Sequence, residues 1–272
     1  MASFASEVSG TQMVEFFGRF GRFGGDMRQL KKLLTDDEYM RHWVQSLVDD
    51  EPEPSVIHGL FSTTELQLAR VREWNKEFGW GIPDEAFAAV EKSVPAWPDK
   101  NLVAVVLVPY LADKANEDGT VTTGLERTFH ELWTRAKAEQ HANRRWDGYD
   151  KAGSDRLRLL KGIEHKVGLR WEVIDLGCNR NKKLMNVRNS KSSPSAGILA
   201  AAALHPNWVK SMDGDKVPYV FISGYEVQVP DERPWAHVSD LSFDSDDRGI
   251  QLGYGWCGYC SSCWAVPSFF RE

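Results

Sequence analysis

Four cysteines, a serine-rich helix entry and a pair of carboxylates are the groups in this 272-residue chain whose types and spacing suit chemistry. Cys257-Gly-Tyr-Cys260-Ser-Ser-Cys263 sets three thiols as C-x2-C-x2-C on a Gly/Ser loop. Thiolates at that spacing can hold one corner of an iron–sulfur cube. The fourth ligand would then be Cys178, the only cysteine outside the trio. Zinc is the alternative, with Cys257 and Cys260 as one arm and Cys178, Cys263 or a histidine completing a tetrahedron. A second C-x2-C or an H-x3-H arm, usual in a two-arm zinc site, is missing. The plainer reading is a hairpin loop of reduced thiols without a ligand. In a reducing compartment clustered thiols point to metal or redox chemistry before structural disulfides.

The second constellation is the stretch 186–197, NVRNSKSSPSAG, ahead of a small-residue apolar segment. Arg188 and Lys191 precede Ser192, Ser193 and Ser195, and Gly197 stands just inside the expected helix. A helix start offers unpaired N–H groups and partial positive charge, which suits phosphate. Lys182 and Lys183 strengthen the local field. No Walker lysine pattern is present, so this is not a nucleotide P-loop. Simple N-capping by Ser192 or Ser193 in a solvated basic loop is the competing reading.

Glu172 and Asp175 lie in 168–179, GLRWEVIDLGCN, which reads as a strand ending at Cys178. With Glu164 and His165 near in sequence, metal-assisted phosphodiester hydrolysis is conceivable. Residues three apart on a strand point to opposite faces, so these two carboxylates do not form a simple pair. Salt bridges to nearby arginines are the expected fate. The remaining histidines (His42, His58, His130, His141, His205 and His237) show no ligand spacing.

The net charge of -6 conceals a division along the chain. Residues 1–119 hold 12 Lys+Arg against 20 Asp+Glu, residues 120–192 hold 16 against 9, and residues 193–272 hold 5 against 10. The basic middle interleaves Arg144, Arg145, Lys151, Arg156, Arg158, Lys161 and Lys166 with Trp146, Tyr149 and Trp171. Cations with stackable aromatics suit RNA or single-stranded DNA. A helical face neutralised by the acidic flanks explains the same residues, and no RRM, KH, helix-turn-helix or zinc-finger signature favours nucleic acid.

The elements that must position these groups follow from periodicity and capping. Phe16–Gly25, FFGRFGRFGG, is rich in glycine and opposes regular structure. Thr35 to Glu38, Ser62 to Glu65 and Thr123 to Glu126 each form a capping box ahead of an amphipathic helix. The third helix is expected to run to about Arg145. Pro83-Asp84 opens a short helix through Val90, and Ser154 caps another bearing Leu157, Leu159 and Leu160. Residues 102–108, LVAVVLV, form a continuous apolar run typical of a strand covered on both faces. Residues 194–204, PSAGILAAAAL, leave no polar face and read as a buried helix. Strands are expected over 217–222 and 225–229, with a hairpin of 240–244 and 250–256 and a last strand over 264–270.

This mixture, without regular βαβ alternation, predicts an α+β fold: a mixed or antiparallel sheet packed with several helices, a helical N-terminal half and a β-rich C-terminal third. The acidic, Pro-broken DDEPEPS linker separates residues 1–55, a flexible arm plus helical appendage, from a single α+β domain over 56–272. No apolar run approaches the roughly 20 residues of a membrane span. MASFASEVSGTQ has no basic and apolar signal pattern, so a cytoplasmic protein is expected.

The phrases LRWEVIDLG (169–177), HPNWVKSMDG (205–214) and VPYVFISGYEV (217–227) resemble segments of hypothetical proteins from uncultured bacteria, an uncharacterised family with no assigned activity. The resemblance covers roughly the second half of the chain and implies a bacterial cytoplasmic origin. Trp256 to Cys260 also resembles the dithiol motif of thioredoxin-like oxidoreductases. Only 12 residues follow Cys260, so that fold is not expected. The leading expectation is a non-enzymatic binding protein for phosphate-rich ligands or nucleic acid. The alternatives are a Zn or Fe–S enzyme or redox protein using the cysteine cluster, and a protein-interaction module docking through WAVPSFF.

Overall fold

The computed structural model describes residues 56–57, 59–140, 144–145, 156–244 and 249–270. The Thr35 capping box, the Arg-Phe-Gly tract, Lys151 and the aromatics Trp146 and Tyr149 lie outside the described residues. The elements in chain order begin with β1 (Val56–Ile57), β2 (Phe61–Ser62), α1 (Thr64–Phe78), α2 (Asp84–Glu91) and β3 (Val103–Tyr110). They continue with β4 (Lys114–Ala115), β5 (Val121–Thr122), α3 (Gly124–Gln140), β6 (Arg144–Arg145), β7 (Leu157–Leu159) and β8 (Gly168–Asp175). Next come α4 (Leu184–Val187), α5 (Ala196–Leu204), α6 (Pro206–Lys210), β9 (Tyr219–Phe221) and β10 (Tyr225–Val227). The described chain closes with β11 (His237–Asp244), β12 (Gly249–Trp256), β13 (Trp264–Ala265) and β14 (Ser268–Phe269). The architecture is α+β, with antiparallel and mixed sheets between helices.

Two sheets matter for the site. The first has the order β14-β8-β3. β3 and β8 pair antiparallel over their full lengths, from Val103 opposite Asp175 to Tyr110 opposite Gly168. All eight residues of β3 are buried, as its unbroken apolar run requires of a strand covered on both faces. β14 covers only the end of β8, through Ser268 opposite Asp175 and Phe269 opposite Ile174. The far edge of β3 is closed by a side chain instead of a strand. Gln67 of α1 donates from Nε2 to the Val105 carbonyl (2.9 Å) and accepts the Leu107 N–H at Oε1 (2.9 Å).

The second sheet is built on the β11–β12 hairpin, in register from His237 opposite Trp256 to Asp244 opposite Gly249. The other edge of β11 takes β9 and β10 in succession, with a break at Ser223-Gly224 between them. β7 extends the sheet beyond β10, β13 lies parallel to β9, and β6 lies parallel to β12.

Between the sheets the helices are set by their caps and by their apolarity. Thr123 and Glu126 form the expected reciprocal box at α3. The Thr123 N–H donates to Glu126 Oε2 (3.0 Å) and the Glu126 N–H to Thr123 Oγ1 (3.3 Å). At α1 the cap falls one residue later than expected, on Thr63. Ser62 belongs to β2, and its hydroxyl donates to the Leu204 carbonyl at the end of α5 (2.6 Å). Every residue of α5 is buried, so the absence of a polar face correctly marks a helix enclosed on all sides. It packs on β3 and on α3.

Three expectations are corrected. The segment bearing Leu157 and Leu159 is a strand, β7, because its backbone finds partners on β10 and its side chains alternate buried Leu157 with exposed Arg158. The third helix ends at Gln140, and Arg144–Arg145 joins β12 as β6. The last expected strand is two short pieces in different sheets. Pro267 lies between them and has no N–H to continue a ladder. Among the described residues no helix is long and apolar enough to cross a membrane.

Candidate functional site

On β8 the strand period puts Arg170, Glu172 and Ile174 on one face. Tyr110, at the end of β3, shares that face. Its hydroxyl donates to Glu172 Oε1 (2.7 Å), and Arg170 Nε donates to the same oxygen (3.2 Å). The Arg170 guanidinium also lies over the Tyr110 ring, 3.8 Å from its centroid. Glu172 is only 6% exposed, and its other oxygen, Oε2, has no hydrogen-bond partner among the described residues. Oε2 faces Gly197, in the first turn of α5. A Cβ at Gly197 would collide with it and would stand 2.7 Å from Ile174 Cδ1, so only glycine lets the helix start approach the carboxylate.

The helix entry is fixed by backbone contacts. The Gly224 N–H donates to the Pro194 carbonyl (2.9 Å), in the break between β9 and β10. A Cβ at Gly224 would come within 2.6 Å of that carbonyl oxygen. Ser195 stands at the N-cap of α5 and makes no side-chain capping bond. Ser193 is buried, and its Oγ accepts the Asn189 N–H (3.0 Å).

These elements line an open cavity of about 690 Å³. Its polar lining includes Tyr110, Arg170, Glu172, Ser193, Ser195 and Lys166. Ile163, Phe269 and Phe270 supply apolar wall. Trp171 and Val173 also border it, although the period of β8 places their side chains on the face away from Glu172. The Trp171 indole N–H donates to the Val90 carbonyl at α2 (2.9 Å). The cavity thus borders the edge of β8 just beyond β14, where the Phe270 N–H donates to the Val173 carbonyl (2.8 Å). Lys166 at the rim is exposed and pairs at 3.5 Å with exposed Glu164.

Burial pushes the Glu172 carboxyl above its ordinary range, against the opposing pull of Tyr110 and Arg170. Burial, then the Glu172 charge, pushes Tyr110 up as well, so its phenol keeps its proton. Tyr225 on β10 is raised by burial and by both neighbours. Hydroxyl donors, two cations and a helix start line one cavity beside an apolar wall, chemistry of the kind that suits an oxyanion on an apolar body.

The structure brings only part of the expected helix-entry set to this cavity. Ser193 and Ser195 line it, and Gly197 lies behind it against Glu172. Ser192 is occupied through its carbonyl, which accepts the Phe269 N–H (2.8 Å). Lys191 is exposed and does not line the cavity, and its N–H donates to Asn189 Oδ1 (3.0 Å). Arg188 is a correction: it is drawn away to Glu226 Oε1 (2.5 Å), a buried carboxylate that also receives Arg158 (2.8 Å). Tyr110 and Arg170 escaped the sequence reading, whereas Lys166 was among the cations of the basic segment. The signal for Arg170 was its spacing two residues from Glu172, the same-face spacing of a strand. Tyr110 gave none beyond its place at the end of an apolar run.

The four cysteines are not brought together. Among the described residues no group of three or more His, Cys, Asp or Glu side chains could hold a metal ion. Cys178 lies against Val266 and Ser268, its sulfur 3.2 Å from the Ser268 hydroxyl. Cys257 is buried in a small cluster with Leu184, Phe221, Val238 and Val266. Cys260 and Cys263 are exposed. Loop geometry thus parts the trio, since its first member points inward and the other two outward. Asp175 is spent locally, its Oδ1 accepting the Gly177 N–H (3.0 Å).

Among the described residues the basic segment is also dispersed. Arg158 lies over Trp235 (4.0 Å) as well as pairing with Glu226, and Trp171 is bonded to α2. Lys161 and Lys166 are exposed. His165 Nε2 stands 2.8 Å from the Leu111 carbonyl, and His237 pairs with Glu232 (3.0 Å). No protein-family model, curated protein or solved structure matches this chain, so the reading of the site rests on its own geometry.

Proposed function

We propose that the protein binds a small ligand carrying a phosphate or carboxylate group on an apolar or aromatic body. The observation that carries this reading is the convergence of Arg170, Lys166, Tyr110, Ser193 and Ser195 on one cavity beside Phe269 and Phe270. A volume of about 690 Å³ is of the size that small-molecule sites commonly have. The oxyanion would sit at the start of α5, where the helix dipole and serine hydroxyls favour negative charge. Binding is preferred to catalysis because the buried acid of the cavity lining is engaged: Tyr110 and Arg170 occupy Glu172 Oε1, and Gly197 closes off Oε2.

The test is calorimetric titration with phenyl phosphate and benzoate, with phenol as the neutral control. At least one anion is expected to bind saturably and phenol is not. Arg170→Gln is expected to weaken binding about tenfold, the loss of one charge-assisted contact of about 1.4 kcal/mol. Absence of saturable binding by both anions would overturn the reading. Salt-sensitive binding of single-stranded RNA that phenyl phosphate does not compete away would place nucleic-acid recognition elsewhere on the chain.

A further inference from the structure

We propose that anion binding in this cavity is coupled to the uptake of one proton by Glu172, with Arg170 and Tyr110 passing from the glutamate to the ligand. The inference rests on the anion-binding reading above and adds its regulation. Without ligand, Glu172 holds both donors on a single oxygen, Tyr110 at 2.7 Å and Arg170 at 3.2 Å. The same two side chains line the cavity, and they are the donors that an oxyanion there would recruit. A ligand that takes them leaves a carboxylate with 5% side-chain exposure, no partner on Oε2 and a second negative charge beside it. Ionised Glu172 cannot persist in that state, because burial and like charge both favour the neutral acid.

The proton comes from solvent and forms an O–H bond on Oε1, the oxygen that Tyr110 and Arg170 vacate. Glu172 then changes from acceptor to donor and can hydrogen-bond the anion itself. Other groups near Glu172 do not supply the charge change. α5 carries no titratable residue, so Gly197 and its neighbours contribute only the dipole of the helix start. Tyr110 on β3 and Tyr225 on β10 are held protonated. Lys166 and Glu164 at the rim are exposed and pair with each other at 3.5 Å. His165 lies against the edge of the Tyr110 ring, 5.5 Å between centroids, with its Nε2 2.8 Å from the Leu111 carbonyl.

The experiment uses phenyl sulfate, whose own charge is constant between about pH 5 and pH 9. The intact protein is titrated in imidazole and in HEPES, which differ in ionisation enthalpy, across that range. Wild type is expected to take up close to one proton per ligand at neutral pH and above, with affinity falling by up to about tenfold per pH unit. Glu172→Gln, already neutral, is expected to bind without proton uptake and with pH-independent affinity. Binding by wild type with no proton uptake and a flat pH profile would overturn the coupling while leaving the anion reading intact. Proton uptake that persists in Glu172→Gln would also overturn it, by placing the proton on another group. No binding of phenyl sulfate, phenyl phosphate or benzoate at any pH would remove the anion reading and the coupling together. The proton count on wild type decides the matter even where the variant does not fold.

Discussion

Replacing Gln67 by methionine isolates the hydrogen-bonding role of the side chain that closes the edge of β3. Gln67 is fully buried. Its Nε2 donates to the Ser62 carbonyl (3.1 Å) and the Val105 carbonyl (2.9 Å), and its Oε1 accepts the Leu107 N–H (2.9 Å). Methionine is of similar length, so little cavity forms and the change falls on those three backbone groups. An unmet buried N–H costs about 2 kcal/mol, and each carbonyl that loses one of its bonds about 1 kcal/mol. Burying the more apolar thioether offsets about 1 kcal/mol, leaving a net loss of about 3 kcal/mol. With a urea slope of about 3 kcal/mol per molar, the unfolding midpoint is expected to fall by about 1 M at unchanged slope. The assay is equilibrium urea denaturation followed by tryptophan fluorescence. A midpoint within about 0.3 M of wild type would refute the idea that a side chain replaces a neighbouring strand here.

Asp240 of β11 lies against Gly253 and Gly255 of β12, and burial pushes its carboxyl up to about 7. Because the folded value is raised, its favourable contribution is complete below about pH 4 and is lost as pH rises through about 7. Asp240→Asn should therefore gain on wild type by on the order of 2 kcal/mol in urea melts at pH 8, and by nothing at pH 4. His205 is fully buried, its Nδ1 accepts the Ser62 N–H (3.0 Å), and burial holds its pKa down to about 3. A depressed value contributes stability above about pH 6.5 that is lost as pH falls through about 3. His205→Phe should lower stability at pH 7 by about 2 kcal/mol and flatten the acid limb of a fluorescence pH titration. Burial pushes the Cys178 and Cys257 thiols up, whereas Cys260 and Cys263 are exposed. A disulfide dye should label two thiols quickly and two slowly in the folded protein, and four at equal rates in urea.

Much of the fold was legible in short stretches of the chain. The apolar run 102–108 identified a strand covered on both faces, and β3 is buried throughout. The alternation of Ile250, Leu252, Tyr254 and Trp256 identified the second arm of the β11–β12 hairpin, although Trp256 at its end is exposed. The segment GILAAAAL, with no polar face, marked a helix with nowhere to meet water. Each of these signals is local, carried by spacing of two or about four residues. The failures were non-local. Leu157 to Leu160 has the leucines of a helix, and only the backbone of β10 makes it a strand. The end of the chain reads as one strand, but Pro267 sends its two halves to different sheets.

The site divides along the same line. By itself the sequence determined that β8 is a strand, that Glu172 and Asp175 cannot share a face, and that serines crowd the start of a buried helix. These follow from chain geometry over a few residues. Tertiary structure alone decided that Tyr110, 62 residues before Glu172, donates to its carboxylate, and that Gly197 closes over the other oxygen. It decided also that Arg188 serves Glu226 and that Cys257 turns inward, away from Cys260 and Cys263. The reason is energetic. A buried charge takes whichever donor the packed fold sets within about 3 Å, and sequence separation plays no part in that distance.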